Sequence, residues 1–380
     1  MTAYTPEETL RVAKRFHNNK RPYLLVNPLQ AKHIPVSPVR ALEMMEALGA
    51  QLAEEYPRTR LVIGFAETAT AVGAAVAGRM REDCIYLPTT REEIPGADSW
   101  VLFSEEHSHA VEQKLWAEGL RERIEGSESI IFVDDEISTG KTLRNMIGQL
   151  REQYPGVADK QLVAASLLNR LSVENLGLLS EAGAECRWLV RLPEADYAQA
   201  VAGLSVEEAP PVEAGELEFS HRTLSCGPLP DPRRGVLIQS YHRACREMAR
   251  VFVEEAVPAL GDGSRLVVLG TEECMYPALV LGRALEERGF SVWCHATTRS
   301  PIGICDAPGY PITSGRKLRS FYEAGRNTYI YNLSRCDALI VVSDTAGSGL
   351  EGLRSLAAAW EPCGYQKLFL IQGGRDVWYI

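Results

Sequence analysis

The stretch IIFVDDEISTGKT, residues 130–142, combines an apolar run, two adjacent carboxylates and a short polar turn. Its first residues, Ile130 to Val133, predict a strand buried on both faces, and the pattern from Thr142 to Gln153 predicts a helix after it. In an open α/β sheet, ligands bind at the carboxyl ends of the parallel strands, which is where Asp134 and Asp135 stand. The stretch therefore predicts an α/β fold and the sheet edge that carries its site.

The chemistry of the same stretch suits a ribose 5-phosphate. Asp134 and Asp135 can accept hydrogen bonds from two neighbouring ribose hydroxyls, and carboxylates are ligands that Mg²⁺ prefers. The turn that follows leads into a helix, whose free N–H groups and positive dipole end favour a phosphate. The predicted 5'-phosphate turn consists of Ser138, Thr139, Gly140, Lys141 and Thr142. The alternative is an ordinary strand–turn–helix without a ligand.

Short apolar runs alternate with longer helical patterns along the chain, which predicts parallel sheets covered by helices. Further strands are predicted at 61–65, 162–168, 266–270, 291–295 and 339–342, and further helices at 66–80 and 276–288. The region 201–234 is rich in proline and acidic residues, and it predicts a linker or an extended arm.

Two motifs recur in the same order in the second half of the chain. LVIGFAE (61–67) resembles LVVLGTEE (266–273), and IIFVDDEISTGKTL (130–143) resembles LIVVSDTAGSGLEG (339–352). The separation between the copies is nearly the same for both motifs, which indicates an internal duplication. The alternative is that two unrelated α/β domains share strand–glycine–helix patterns. We therefore expect a second α/β domain as a candidate degenerate duplicate of the first.

The composition is that of a globular protein that can form a full core. Hydrophobic residues make up 46% and charged residues 24%, and the net charge of −10 argues against broad nucleic-acid binding. The nine cysteines form no C-x-x-C pair, so we expect reduced thiols rather than a disulfide framework or a zinc site. The polar start of the chain and the lack of a long apolar stretch predict a cytoplasmic protein with no membrane partner.

Residues 130–142 resemble the signature with which type I phosphoribosyltransferases bind 5-phosphoribosyl-1-pyrophosphate (PRPP). Four further segments are NPLQAKHIP (27–35), TTRE (89–92), EEHSH (105–109) and TRSP (298–301). With them, nearly the whole chain resembles bacterial phosphoribosyltransferases associated with tellurium-resistance and stress-response gene clusters. The C-terminal domain of those proteins is named for its Thr-Arg-Ser-Pro motif.

This resemblance implies a division of the chain. A type I phosphoribosyltransferase domain with a Rossmann-like parallel sheet and N-terminal hood elements is implied for residues 1–200. A linker or extended arm over 201–234 leads to a TRSP-type α/β domain over 235–380. In the second copy of the motif, Ser343 and Asp344 stand where the acidic pair is expected, so we expect this domain to have lost PRPP binding.

The resemblance also implies roles for particular residues. Asp134 and Asp135 are implied as the catalytic pair, and Mg²⁺ is implied to bind through PRPP, with Asp134 and, through water, Glu67. The residues implied to bind pyrophosphate are Ala66, Glu67, Thr68, Ala69 and Arg91. Candidates for contacts to the acceptor or to a mobile loop over residues 88–115 are Lys32, His33, His107, His109 and Arg299. The alternative is a solvated turn or, for Arg299, a domain interface.

The implied function is transfer of ribose 5-phosphate from PRPP to an unidentified base or nucleoside-like acceptor, with release of pyrophosphate. Purine-salvage members have an aspartate where Ser138 stands, so a hypoxanthine or guanine acceptor is less expected. Three alternatives remain open: a non-catalytic PRPP or nucleotide sensor, an enzyme that releases a base from a nucleotide with pyrophosphate, and a structural subunit of a stress-response complex. By analogy with relatives of the fold, we expect a homodimer.

Overall fold

The computed structural model of the chain describes residues 4–18, 21–103, 113–256, 260–261, 263–345, 347 and 349–380. These residues form two compact units, each with its own sheet. So far as they are described, the first unit consists of residues up to Pro6, 43–194 and 230–242, and the second of residues 7–42, 195–229 and 243–380.

The strands are, in chain order, β1 (Arg11–Lys14), β2 (Tyr23–Val26), β3 (Leu61–Gly64), β4 (Ile85–Tyr86), β5 (Trp100–Phe103), β6 (Gln113–Trp116), β7 (Ser129–Ile137), β8 (Gln161–Asn169), β9 (Ala184–Arg191), β10 (Ser220–Thr223), β11 (Val236–Leu237), β12 (Arg265–Gly270), β13 (Ser291–Ala296), β14 (Gly315–Arg319), β15 (Asn327–Tyr331), β16 (Ala338–Ser343), β17 (Lys367–Gln372) and β18 (Asp376–Tyr379).

The α-helices are α1 (Pro6–Thr9), α2 (Pro38–Glu55), α3 (Thr70–Ala77), α4 (Leu120–Glu125), α5 (Lys141–Gln153), α6 (Val173–Glu181), α7 (Tyr197–Ala202), α8 (Ile238–Ala256), α9 (Tyr276–Glu287) and α10 (Leu350–Trp360). Short 3₁₀ helices cover Pro155–Asp159 and Pro232–Arg234.

The first unit is built on a six-stranded sheet in the order β11-β4-β3-β7-β8-β9. The strands from β4 to β9 in this order are parallel, and β11 at the edge runs antiparallel. β7 lies between β3 and β8, which explains why its first half is continuously apolar. α5 contributes a core-facing stripe at helical spacing, made of Leu143, Met146, Ile147 and Leu150.

The second unit has a six-stranded sheet in the order β10-β18-β17-β16-β12-β13. Its strands β13, β12, β16 and β17 are parallel, and β18 and β10 close the sheet with antiparallel pairs. Leu353, Leu356 and Trp360 of α10 pack in the same buried cluster as Leu339 and Val341 of β16. The predicted α/β fold class and the second α/β domain are therefore confirmed.

The two sheets have the same central strand order. β4-β3-β7-β8 in the first unit corresponds to β13-β12-β16-β17 in the second, with the strands visited in the same sequence along the chain. Each unit also has a helix between its first two parallel strands and an antiparallel hairpin, β5–β6 or β14–β15, before the third. The shared strand order, the shared strand direction and the matching helix and hairpin fit the duplication that the repeated motifs indicate.

The division of the chain differs from the predicted one. Residues 7–42, expected as hood elements of the first domain, belong to the second unit, where Val36 forms an antiparallel bridge with Cys294 of β13. Within the region predicted as a linker, β10 pairs with β18 of the second sheet, and the residues from 230 onward lead into β11 of the first. The chain thus contributes to the two units alternately, which a pattern of consecutive domains does not predict.

Local boundaries also differ from the predicted ones. β7 continues to Ile137, so the acidic pair lies within the strand, with Asp134 opposite Ser166 of β8. α3 begins at Thr70 rather than at Ala66, because the residues between form a loop. The segment predicted as a mobile loop contains the hairpin β5–β6, and its central part lies outside the described residues.

None of the helices in the described part of the chain is long and apolar enough to cross a membrane. The nine cysteines carry free thiols, as the sequence predicts.

Two glycines of the α5 region allow a matched test of the turn before that helix. Gly140 has a φ of 68°, and a Cβ there would lie 2.6 Å from Leu179 Cδ1, whereas a Cβ on Gly148 within α5 would meet nothing within 4 Å. We expect Gly140→Ala to lower the free energy of unfolding by about 1–3 kcal/mol, because an L-residue is strained there. Gly148→Ala should raise it by about 0.5–1 kcal/mol. Urea titration of both variants checks this, and equal stability of the two would contradict it.

Candidate active site

Four of the five residues predicted to bind pyrophosphate, Ala66 to Ala69, lie in the loop between β3 and α3. The peptide bond between Ala66 and Glu67 is cis. The Ala66 N–H donates to Thr89 Oγ1 at 2.8 Å, and Gln113 Nε2 donates to the Ala66 carbonyl oxygen at 2.8 Å. Thr89 Oγ1 donates in turn to Gln113 Oε1 at 2.5 Å. The N–H and the carbonyl oxygen of Ala66 are therefore both hydrogen-bonded to buried side chains. These contacts hold the backbone of the loop in place.

Thr89 is attached to the sheet by its own backbone. Its N–H donates to the carbonyl oxygen of Gly64, the last residue of β3, at 2.8 Å. The adjacent Thr90 exchanges backbone hydrogen bonds with Lys114 of β6, in both directions. The segment that begins at Thr89 therefore joins the loop after β3 to the base of the hairpin β5–β6.

The acidic pair lies in contact with this loop. Thr68 Oγ1 donates to Asp135 Oδ1 at 2.7 Å, and the Asp135 N–H donates to Asp134 Oδ1 at 2.9 Å. Burial raises the pKa of Asp134 well above its usual value, and the carboxylate of Asp135 adds to the rise. The next carboxylate along the strand, Glu136, lies 3.4 Å from the guanidinium of Arg170. The edge of the sheet thus carries two adjacent carboxyl groups, Asp134 and Asp135, while Glu136 is paired with Arg170.

The predicted phosphate turn connects β7 to α5. Gly140 takes the left-handed conformation that precedes the helix, and no side chain caps the first turn of α5. Thr139 Oγ1 accepts a hydrogen bond from the Lys141 N–H at 3.4 Å. Ser138, Thr139 and Thr142 are partly exposed and Lys141 is exposed. An accessible helix N-terminus with hydroxyl groups around it is the arrangement that proteins use for a phosphate.

The remaining predicted residues lie in three places. Arg91 is partly exposed and follows Thr90 in the first unit. Lys32, His33 and Arg299 belong to the second unit, where Lys32 Nζ donates to the carbonyl oxygens of Glu272 at 2.8 Å and Thr297 at 3.0 Å. His107 and His109 lie outside the described residues.

The acceptor contacts expected of Lys32 and Arg299 stay a prediction, and within the second unit both side chains contact the loop after β12. Lys32 is buried, with its ammonium group on two backbone carbonyls, and Arg299 Nε donates to the carboxylate of Glu272 at 2.7 Å. Both side chains are engaged in organising the loop after β12.

Thr89 and Gln113 have structural roles that were not predicted from the sequence. A signal for the first was present, because Thr89-Thr90-Arg91 recurs as Thr297-Thr298-Arg299 in the second half of the chain. For Gln113 the sequence offers no comparable signal, since its contact with Ala66 depends on how the hairpin β5–β6 packs.

The donor set at this edge fits a magnesium ion that is held mostly by a ligand. Mg²⁺ bound with substrate phosphates takes one or two carboxylates from the protein and keeps several waters. Asp134 and Asp135 are adjacent carboxylates, and Glu67 is a buried acidic residue in the neighbouring loop. Among the described residues, no group of three or more histidine, cysteine or acidic side chains forms a complete protein site for a metal. The residues present therefore fit an ion that is coordinated jointly by the protein and a bound phosphate ligand, rather than an ion coordinated by the protein alone.

Solved structures of phosphoribosyltransferases are similar to about half of the chain. An APRTase from Giardia lamblia is 14% identical at a TM-score of 0.35, over 49% of this chain and 94% of that chain. An orotate phosphoribosyltransferase from Aeropyrum pernix is 16% identical at a TM-score of 0.30, over 51% and 94%. An adenine phosphoribosyl transferase from Trypanosoma brucei is 12% identical at a TM-score of 0.36, over 49% and 77%. No curated protein matches the sequence.

Two family models match consecutive parts of the chain. Residues 9–193 match a model described as phosphoribosyl transferase, and residues 233–358 match the TRSP domain that lies C-terminal to it. Both the identity and the order of the two domains agree with the resemblance read from the sequence motifs. The chain belongs to the phosphoribosyltransferase family whose members carry a C-terminal TRSP domain.

Proposed function

We propose that the first unit binds PRPP at the carboxyl edge of its sheet and transfers ribose 5-phosphate to a small-molecule acceptor, with release of pyrophosphate. The observation that carries the proposal is the hydrogen bond from Thr68 Oγ1 to Asp135 Oδ1, at 2.7 Å. It joins the loop proposed for pyrophosphate to the carboxylates proposed for ribose. Because the two lie in contact, one ligand can reach both.

The ribose ring is held by the acidic pair in this proposal. Asp134 and Asp135 form hydrogen bonds with its two hydroxyls, and the negative charge that the pair carries offsets the positive charge that develops on the ring as the bond from C1 to the pyrophosphate oxygen breaks. The acceptor forms its bond to C1 from the other side. No covalent intermediate with the chain is required.

The two phosphate ends of PRPP have separate places. The 5'-phosphate is bound by the N–H groups and hydroxyls of the turn 138–142, at the positive end of the α5 dipole. The pyrophosphate is bound by the loop 66–69, whose backbone is fixed from behind by Thr89 and Gln113. Arg91 supplies a cation to the leaving group. Asp134 and, through water, Glu67 would hold Mg²⁺, which would supply further charge neutralisation at the leaving group.

The cellular setting is part of the proposal. Nine free thiols suit a reducing compartment, which supports a cytoplasmic enzyme. A role in tellurium resistance or in another stress response follows from the resemblance of the chain to the proteins of such gene clusters, and the acceptor is then a base or a nucleoside-like metabolite of that response.

Substitution of the acidic pair tests the transferase proposal. We expect Asp134→Asn together with Asp135→Asn to lower PRPP-dependent pyrophosphate release in a metabolite extract by at least about 100-fold, because both ribose contacts and the compensating charge are lost. Asp159→Asn, an exposed aspartate of the same unit, is the matched control and should keep full activity. PRPP binding without any pyrophosphate release by the wild type would favour a sensor instead.

Arg91 allows a test of the leaving-group site. We expect Arg91→Ala to weaken the binding of inorganic pyrophosphate about tenfold or more, since a charge-assisted hydrogen bond contributes about 1.5–3 kcal/mol. Arg121→Ala removes an exposed arginine of α4 and should leave the affinity unchanged. Isothermal titration of the three proteins gives the comparison, and equal affinities for wild type and Arg91→Ala would remove Arg91 from the site.

The raised pKa of Asp134 predicts a pH-dependent cost in stability. Over the pH range between the ordinary aspartate pKa and the raised one, the folded protein holds a proton at Asp134 that the unfolded chain has lost. Stability therefore falls as the pH rises through that range. We expect Asp134→Asn to melt at a higher temperature than wild type at neutral pH, with the difference vanishing toward about pH 4. Identical melting curves from pH 4 to 8 would contradict this burial.

A further inference from the structure

The loop after the first parallel strand is held in the same way in both units. In the second unit, the Thr297 N–H donates to the carbonyl oxygen of Gly270, the last residue of β12, at 3.0 Å. The Glu272 N–H donates to Thr297 Oγ1 at 3.0 Å. Thr89 forms the same two hydrogen bonds in the first unit, besides the one to Gln113, and the residue that corresponds to Glu272 by this criterion is Ala66.

The correspondence extends along the next two residues. Thr298 exchanges backbone hydrogen bonds with Tyr329 of β15, as Thr90 does with Lys114 of β6. Arg299 therefore occupies the position in the second unit that Arg91 occupies in the first. The TRSP motif that begins at Thr298 thus belongs to the second copy of the segment 89–91, whose first residue is hydrogen-bonded to the loop after β3.

The two loops differ in the side chain at the position of Ala66 and Glu272. Where the first unit has the methyl group of Ala66, the second has the carboxylate of Glu272, which is completely buried. Arg299 Nε donates to Glu272 Oε2 at 2.7 Å, and Arg326 Nη2 lies 3.0 Å from the same oxygen. Ser320 Oγ donates to Glu272 Oε1 at 2.6 Å. Two guanidinium groups and a hydroxyl therefore surround one carboxylate.

Such a set of donors forms an anion-binding site, and the anion that occupies it is the carboxylate of Glu272. Guanidinium groups that converge on a carboxylate also match the geometry of phosphate oxygens. The side chains of Arg299 and Arg326 are only 15% and 18% exposed, so their charges need a partner inside the unit. In the first unit, Ala66 leaves the corresponding place without a carboxylate.

A second contact of the loop follows the same principle. Asp344 corresponds to Asp135 in the repeated motif, and the Tyr322 hydroxyl donates to Asp344 Oδ1 at 2.6 Å. The same hydroxyl lies 2.8 Å from Thr271 Oγ1 in the loop after β12. A phenol from the second unit itself therefore joins the loop to the remaining carboxylate of the copied motif.

We propose that the TRSP unit is a self-occupied copy of the site in the first unit, in which the Glu272 carboxylate takes the place of a pyrophosphate- or phosphate-class anion. The wild-type second unit consequently binds no such anion, and removal of the carboxylate creates a site for one. The class of the anion rests on the proposed function of the first unit. The existence of a latent anion site rests on the contacts of Glu272 alone.

The variant Glu272→Gly tests this directly. Glu272 has a φ of 47°, a conformation that glycine adopts without strain, so the substitution removes the carboxylate and suits the backbone. We expect isothermal titration with inorganic pyrophosphate to give one more equivalent per chain for Glu272→Gly than for wild type. Glu272→Gln, which keeps the shape of the side chain, should give no extra equivalent. Glu272→Gly combined with Arg299→Ala should lose the extra equivalent again.

The outcomes separate this inference from the proposed function. If the first unit does not bind pyrophosphate, wild type binds no equivalent and Glu272→Gly binds one. That result supports the latent site in the second unit and contradicts the proposed pyrophosphate site in the first unit. Two equivalents on wild type, or no additional equivalent on a folded Glu272→Gly, overturns the inference. Should Glu272→Gly fail to fold, Glu272→Asn carries the same test, because asparagine tolerates a positive φ and lacks the charge.

Discussion

In both units, a threonine hydroxyl accepts a hydrogen bond from the backbone N–H two residues beyond the first parallel strand. Thr89 does this for Ala66 and Thr297 does it for Glu272, and each threonine also donates its own N–H to the end of that strand. A buried N–H without a partner would cost about 1–3 kcal/mol, so this contact fixes where the loop leaves the sheet. The backbone of each loop is therefore positioned by this contact.

The two units differ in the residue whose N–H donates to the threonine. In the first unit this residue is Ala66, which carries no charge, and the loop contacts Asp135 through Thr68. A glutamate in the second unit draws Arg299 and Arg326 onto itself and buries its own charge. The same hydrogen-bonded frame thus carries a loop in contact with the acidic pair in one copy and an ion-pair network centred on Glu272 in the other.

Much of the fold and of the candidate site was predictable, because the decisive features are local. The continuous apolar run before Asp134 predicts a doubly covered strand, and Gly140 predicts a tight turn into a helix. That residues 7–42 belong to the second unit was not predictable, since it depends on long-range pairing such as that of Val36 with Cys294. The contact of Gln113 with Ala66 was equally hidden, because it needs the packing of a hairpin on a loop.

The central claim is that one edge of the first sheet binds all of PRPP. A crystal structure with PRPP and Mg²⁺ tests it most directly. The account predicts the 5'-phosphate on the backbone N–H groups of the turn 138–142, the ribose hydroxyls on Asp134 and Asp135, and the pyrophosphate on the loop 66–69. Ligand density in the second unit, or at the first unit with the phosphates away from both loops, would contradict it.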